Sequence, residues 1–215
     1  ADAIRVQDWA TVRAPQFNPE HPGLVKLIYG VGQVFMGPHT DLVDRLASAR
    51  SISMAASLVT VALLAWVHPL AGIALATHTL HTKYGVQAYL DGLPLLWMSV
   101  AMVLGWRSRH ETKRWPFVLA GACWGAAMAG KWIHALPGVV LLAFLPSWKA
   151  RATLTTIFVT SWWILDPSMG LSSLDRITQM VAAHHQYSVS LTEDTSILDP
   201  LFFLATGLAS VWHPE

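Results

Sequence analysis

Glu20 and His21 stand side by side between Pro19 and Pro22, just ahead of an apolar run that opens at Leu24. A carboxylate and an imidazole side by side are two groups that can each take or give a proton. Each proline fixes its own φ and pushes the preceding residue toward extended backbone, so no helix is expected before Pro22. Beyond it a helix can start, because proline is tolerated in a first turn. These residues predict a short rigid loop presenting Glu20 and His21 at the mouth of an apolar helix. The plainer alternative is a surface loop with an ordinary Glu and His.

Lys131 is the second residue of interest. It follows Ala126-Ala127-Met128-Ala129-Gly130 and precedes Trp132, with no acidic residue nearby in sequence. A charged side chain bordering an apolar segment is costly and marks a functional candidate. It either snorkels to an interface beside Trp132 or faces a cavity that holds an anion such as phosphate. Asp91 opens the run Gly92-Leu93-Pro94-Leu95-Leu96-Trp97, where a carboxylate is expected to cap the free amides of a helix N-terminus. His78 and His81 are three apart and share a helical face. A metal pair is the alternative, but no Cys or third ligand is spaced to complete a tetrahedral centre, so they are read first as satisfied or interfacial histidines. His184 and His185 fall in an amphipathic stretch over 174–187; neighbours on a helix diverge, so at most one binds a ligand. The lone Cys123 lies inside an apolar segment, where it fills space.

The elements that must position these groups follow from composition. The chain has 215 residues, 53% hydrophobic and 13% charged, with 11 tryptophans and a mean hydropathy of +0.43. Soluble domains carry roughly 25% charged residues, so the chain is read as an integral membrane protein. A net charge of +1 with the basic residues dispersed among short loops excludes a nucleic-acid partner as the reading. Trp66, Trp106, Trp115 and Trp148 sit near segment ends, as interfacial tryptophans do. Residues 1–22 are polar and proline-containing, unlike a signal peptide, and both ends of the sequence read as those of a fragment.

Apolar segments are expected at 24–36, 51–67, 69–80, 89–106, 115–130, 133–147, 151–168 and 200–212. They make an all-α, polytopic transmembrane bundle of about seven or eight membrane segments, some short or re-entrant. The whole chain is one membrane domain: an external loop over 1–22, membrane helices over 23–168, an external loop with an amphipathic helix over 169–198, and a further, truncated helix over 199–215. The basic clusters set orientation. Arg107, Arg109, Lys113 and Arg114 mark one cytoplasmic loop, Lys149 and Arg151 a second, and Arg45 with Arg50 a third. Asp8, Glu20, His21, His78, His81, Lys83, Asp91, Lys131, His134, His184 and His185 then share the outer face, provided 69–80 is re-entrant or returns to the side it left.

Taken together, these residues resemble a known family. Glu20-His21-Pro22-Gly23-Leu24-Val25-Lys26-Leu27 is similar to the acidic-x-His-Pro-Pro-Leu-x-Lys-Leu loop of the dolichyl-phosphate-mannose protein mannosyltransferases and their bacterial relatives, with Gly23 in place of the second proline. Arg45-Leu46-Ala47-Ser48 resembles their Arg-Leu-x-Ser segment, and Asp91-Gly92-Leu93-Pro94-Leu95 their Asp-x-Pro-Leu segment. Residues 121–132 resemble their Gly-x-x-x-Gly-x-Ala-x-x-x-Lys-Trp helix, and His184-His185-Gln186-Tyr187-Ser188 a later external stretch. The resemblance covers about residues 17–190. It implies the C-type glycosyltransferase fold in a bacterial inner membrane, with the site facing the periplasm or exterior. The implied activity is inverting transfer of a sugar from a polyprenyl-phosphate donor to an acceptor hydroxyl or amine. Glu20 and Asp8 are the implied catalytic carboxylates, while His21, Lys26, Asp91, Lys131, His184 and His185 are the implied substrate-binding residues. The family's leading acidic pair would precede this sequence, and its C-terminal helices are absent. Implied partners are the bilayer, the lipid-linked sugar and other membrane subunits; no resident cofactor is implied, a divalent cation being the one alternative. A non-catalytic membrane scaffold of the same ancestry is the competing function, and a transporter the third, which would predict an inverted repeat.

Overall fold

The computed structural model describes residues 23–35, 41–85, 87, 90–110, 113–131, 136–145, 147–166 and the single positions 177, 178 and 182. Regular structure among the described residues is entirely helical: α1 Leu24–Phe35, α2 Leu42–Val67, α3 Pro69–Thr77, α4 Thr79–Gly85, α5 Gly92–Arg107, α6 Trp115–Gly130, α7 Leu136–Phe144 and α8 Trp148–Leu165. Local chemistry sets several boundaries. The Asp41 carboxylate accepts from the Val43 amide at 3.1 Å and starts α2. Ser147 Oγ likewise accepts from the Ala150 amide at 3.1 Å and starts α8. Pro69 and Pro116 stand in the first turns of α3 and α6, where a missing N–H costs nothing.

Side by side, the helices run in the order α8, α6, α5, α2, α3, with α7 against α5, α4 against α2, and α1 leaning on both α2 and α6. Phe117, Trp124, Leu141 and Leu154 fill the main buried cluster, whereas α2 inverts that pattern. The buried face of α2 is Ser48, Ala49, Ser53, Ala56, Ser57 and Thr60, while Leu58, Val59 and Trp66 are exposed. Leu70, Ile73, Val118, Leu119, Val139, Val140 and Ile164 are exposed as well. Small residues on a buried face let neighbouring backbones approach closely. Gly121 and Gly125 show it most sharply. A Cβ on Gly121 would come within 2.7 Å of the Leu154 carbonyl oxygen, and one on Gly125 within 2.7 Å of the Phe158 carbonyl oxygen. The backbones of α6 and α8 therefore touch, as small-xxx-small pairs allow. By length and composition α2 is able to cross a membrane; α1, α5 and α6 are shorter apolar helices.

Helix directions fix which groups can meet. Gly92 abuts Ser53 and the Arg107 guanidinium lies 3.9 Å over the Trp66 ring, so α2 and α5 run parallel. Gly130 packs on Pro94 and Trp97, so α6 runs back against α5. Gly121 at Leu154 and Gly125 at Ser161 make α8 parallel to α6. Gly23, Asp91, Lys131 and Asp166 consequently lie at one end of the bundle, and Arg107, Arg114 and Trp148 at the other. Trp97 is the common wall at the first end, packing against all three buried clusters.

This arrangement corrects the topology expected from the basic loops. Arg45 and Arg50 lie within α2, at the end opposite the Trp66–Arg107 contact, and do not share a side with Arg107 and Arg114. The apolar run begins at Ser51, which hid the first turns of α2; Asp41 caps them and α1 packs on them, with Gln33 donating to the Arg45 carbonyl at 3.1 Å. Nor does α3 return to the side it left. It folds back along α2, with Gly72 against Ala65, and carries the chain toward the Asp91 end.

Candidate functional site

Two helix ends build the site. Asp91 precedes α5 and Lys131 terminates α6 with an extended backbone, its amide bonded to the Ala127 carbonyl at 2.9 Å. Because α5 and α6 are antiparallel neighbours, these ends coincide. Lys131 Nζ donates to Asp91 Oδ1 at 2.8 Å and Oδ2 at 2.9 Å, across 40 positions of sequence. Each charge also suits its own helix, the carboxylate at an N-terminus and the ammonium at a C-terminus, a placement worth about 0.3–1 kcal/mol apiece. The side chains are 25% and 27% exposed, so the pair is half-buried and open to a ligand from one side.

The pair revises two expectations. Asp91 does occupy the position before α5, but its carboxylate makes no capping bond; both oxygens turn to Lys131. Lys131, with no acidic residue nearby in sequence, meets one through the fold. An ammonium carries three donors, and the contacts with Asp91 engage two at most.

On the other flank of Asp91 a cavity of about 260 Å³ is lined by Ser57, Leu75, His78, His81, Gly85, Asp91, Gly92 and Leu95. His78 and His81 share this cavity, a juxtaposition the three-residue spacing allowed. His78 separates α3 from α4, and its Nδ1 accepts from the His81 amide at 3.4 Å. Burial pushes the His81 imidazole below its ordinary value; a hydrogen bond to the Ser57 backbone raises it in part, and the neighbouring His78 lowers it further. Among the described residues no three His, Cys, Asp or Glu side chains group to hold a metal ion.

The Glu20–Leu27 motif is described from Gly23 onward, and that part lies at this same end. The Gly23 amide donates to Asp166 Oδ1 at 3.3 Å, across 143 positions. Lys26 sits half-buried in the first turn of α1. Leu24 packs with Ala126 and Ala129, and Val25 with Tyr29 and Ala49. Glu20, His21, Asp8, His184 and His185 lie outside the described residues.

No family model, curated protein or solved structure matches this chain.

Asp166 was missed in the reading of the sequence. Its carboxyl is buried, with 1% of the residue exposed. The signal was the one that drew attention to Asp91: a carboxylate at the border of an apolar run. It lay inside the apolar segment expected over 151–168, whereas α8 ends at Leu165 and Asp166 follows it. Only the parallel course of α6 and α8 brings it to the Lys131 end.

Proposed function

We propose that this chain is the membrane core of a glycosyltransferase that uses a polyprenyl-phosphate sugar, with its site at the Asp91–Lys131 end. The observation that carries the reading is the half-buried Lys131–Asp91 pair beside the described part of the Gly23–Lys26 motif, at the acidic end of a bundle with an apolar exterior. The exposed Leu, Ile and Val side chains of α2, α3, α6, α7 and α8 support a polytopic membrane bundle. The basic end, with Arg107, Arg109, Lys113, Arg114, Lys149 and Arg151, then faces the cytoplasm.

In this reaction a carboxylate, Glu20 or Asp8, takes the acceptor proton as the acceptor oxygen attacks the anomeric carbon. The bond to the lipid phosphate breaks with inversion, and the phosphate leaves with the electron pair. Lys131 meets the charge that grows on that oxygen. Asp91 holds the ammonium in place and leaves a donor for the phosphate, which is preorganisation of the kind that lowers a barrier. The pair is neutral as a whole, so the ligand meets a fixed dipole and one charge-assisted bond rather than a bare cation.

The test is sugar transfer from a polyprenyl-phosphate donor, wild type against Lys131→Ala, in protein that includes any upstream segment. The expected loss is roughly a hundred- to a thousand-fold, the size of one preorganised electrostatic contact. Lys131→Arg should recover only part of it, because the guanidinium fork needs different room. Equal rates in wild type and Lys131→Ala would remove Lys131 from the mechanism.

The same pair also favours a second reading. A neutralised lysine that ties α5 to α6 is what a non-catalytic scaffold subunit would keep. Absence of transfer by the wild type, with assembly intact, would decide for that reading.

A further inference from the structure

A different cavity lies at the basic end, one length of α5 away from Lys131; 16 residues at 1.5 Å each is about 24 Å. It measures about 700 Å³. Met102, Val103, Leu141 and Phe144 give it apolar walls, and Arg107, Arg109 and His110 its polar edge. Both guanidiniums are already posed. Arg107 lies over the Trp66 ring and Arg109 over the Trp106 ring, each at 3.9 Å. Arg109 Nη1 donates to the Trp106 carbonyl at 2.7 Å, and Trp106 is braced edge-on by Phe144 at 5.6 Å. Stacking uses the face of a guanidinium and leaves N–H donors on its edge for an anion. Charge at this end is one-sided among the described residues. Asp41, Asp44, Asp91 and Asp166 all lie at the opposite end, while Lys113, Arg114, Lys149 and Arg151 join the two arginines here. Glu111, in the same loop, lies outside the described residues.

We propose that this cavity binds an anionic phospholipid, its phosphate on Arg107 and Arg109 and an acyl chain along Val103 and Phe144. An oily slot capped by two stacked guanidiniums matches an amphiphile with a phosphate head. A free anion would leave the slot unfilled, and a zwitterionic lipid would bring an ammonium to the arginines. The inference rests on the membrane part of the proposed function and not on sugar transfer.

The experiment is native mass spectrometry of the full purified chain, released from micelles holding equal amounts of phosphatidylglycerol and phosphatidylcholine. Wild type is expected to retain phosphatidylglycerol selectively. Arg107→Gln with Arg109→Gln should cut that preference about 30-fold, the product of two contacts of the size that basic residues make with an anionic membrane surface. Val103→Trp fills the slot with both charges intact and should lower retention of the lipid as well. It stands alone as the test should the double variant fail to fold. No preference in wild type, or an unchanged preference in the variants, overturns the site. Displacement of phosphatidylglycerol by an equal concentration of inorganic phosphate would make it a free-anion site and overturn the lipid. A chain that purifies without detergent would overturn the membrane reading itself, whereas failure of the transfer assay would leave this result standing.

Discussion

Lys131 and Asp91 were both legible as unusual residues sharing one face, but not as an ion pair. Forty positions of sequence separate them, and only the antiparallel course of α5 and α6 closes that gap. The pairing changes what a substitution should do. Removing the ammonium alone strips a half-buried carboxylate of its charged partner, so Lys131→Ala should cost stability rather than relieve it. Exposed ion pairs are worth about 0.2–1 kcal/mol, and breaking buried ones costs about 3–5 kcal/mol. With a quarter of each side chain exposed, a double-mutant cycle of Lys131→Ala and Asp91→Ala should give a coupling of about 1–2 kcal/mol. Denaturant unfolding of the four proteins in one detergent measures it, and zero coupling would make the contact incidental. The charge swap Asp91→Lys with Lys131→Asp should regain part of that stability while leaving transfer abolished. His81 supplies a pH test. Its imidazole is held below the ordinary value of about 6.5 by burial, so the folded protein binds its proton less well than the unfolded chain does. The neutral imidazole's contribution is full above that ordinary value and is lost as pH falls through the lowered one. Lowering pH from 7.5 to 5 should therefore reduce the melting temperature, and His81→Gln should flatten that fall. An identical acid slope in the variant would assign the effect to another group.

At the scale of elements, apolar runs gave most helices to within a few residues, because each run is bounded by Pro, Gly or a charge. The start of α2 was not legible, since Leu42, Val43 and Leu46 are interleaved with Asp44, Arg45 and Arg50. Those turns are helical because Asp41 caps them and α1 anchors them at Arg45 and Ala49, and neither effect is visible in hydropathy. The contact of α6 with α8 was half legible. Gly121 and Gly125 announce a close approach, but not the partner that makes it. Gly125→Leu should drive α8 away, since its Cβ alone would sit 2.6 Å from that of Ser161. Overpacking typically costs 1–3 kcal/mol and occasionally more, which should appear as a lower unfolding midpoint and poorer recovery from detergent. Val139→Ala, at a 60% exposed position, should change stability by less than about 0.5 kcal/mol. A larger loss at Val139 than at Gly125 would contradict the packing described for α6, α7 and α8.

For the molecule as a whole, the two ends of the bundle differ in charge, and that difference makes a topology experiment decisive. Cysteines placed at Asp44 and at Lys113 in a Cys123→Ser background should react with an impermeant maleimide from opposite faces of sealed vesicles. Labelling of both from one face would restore the shared side first read from the basic loops and discard the parallel course of α2 and α5. The Gly23 amide bonds to Asp166, 143 positions later, and chains grow at about 5–20 residues per second. Gly23 is thus made roughly 7–30 s before its partner exists. Whatever α1 leans on during that interval, it cannot be the end of α8. Nascent chains stalled before Asp166 should leave the segment around Gly23 open to protease, and chains stalled well beyond it should protect that segment. The start of α1 is finished by the end of α8.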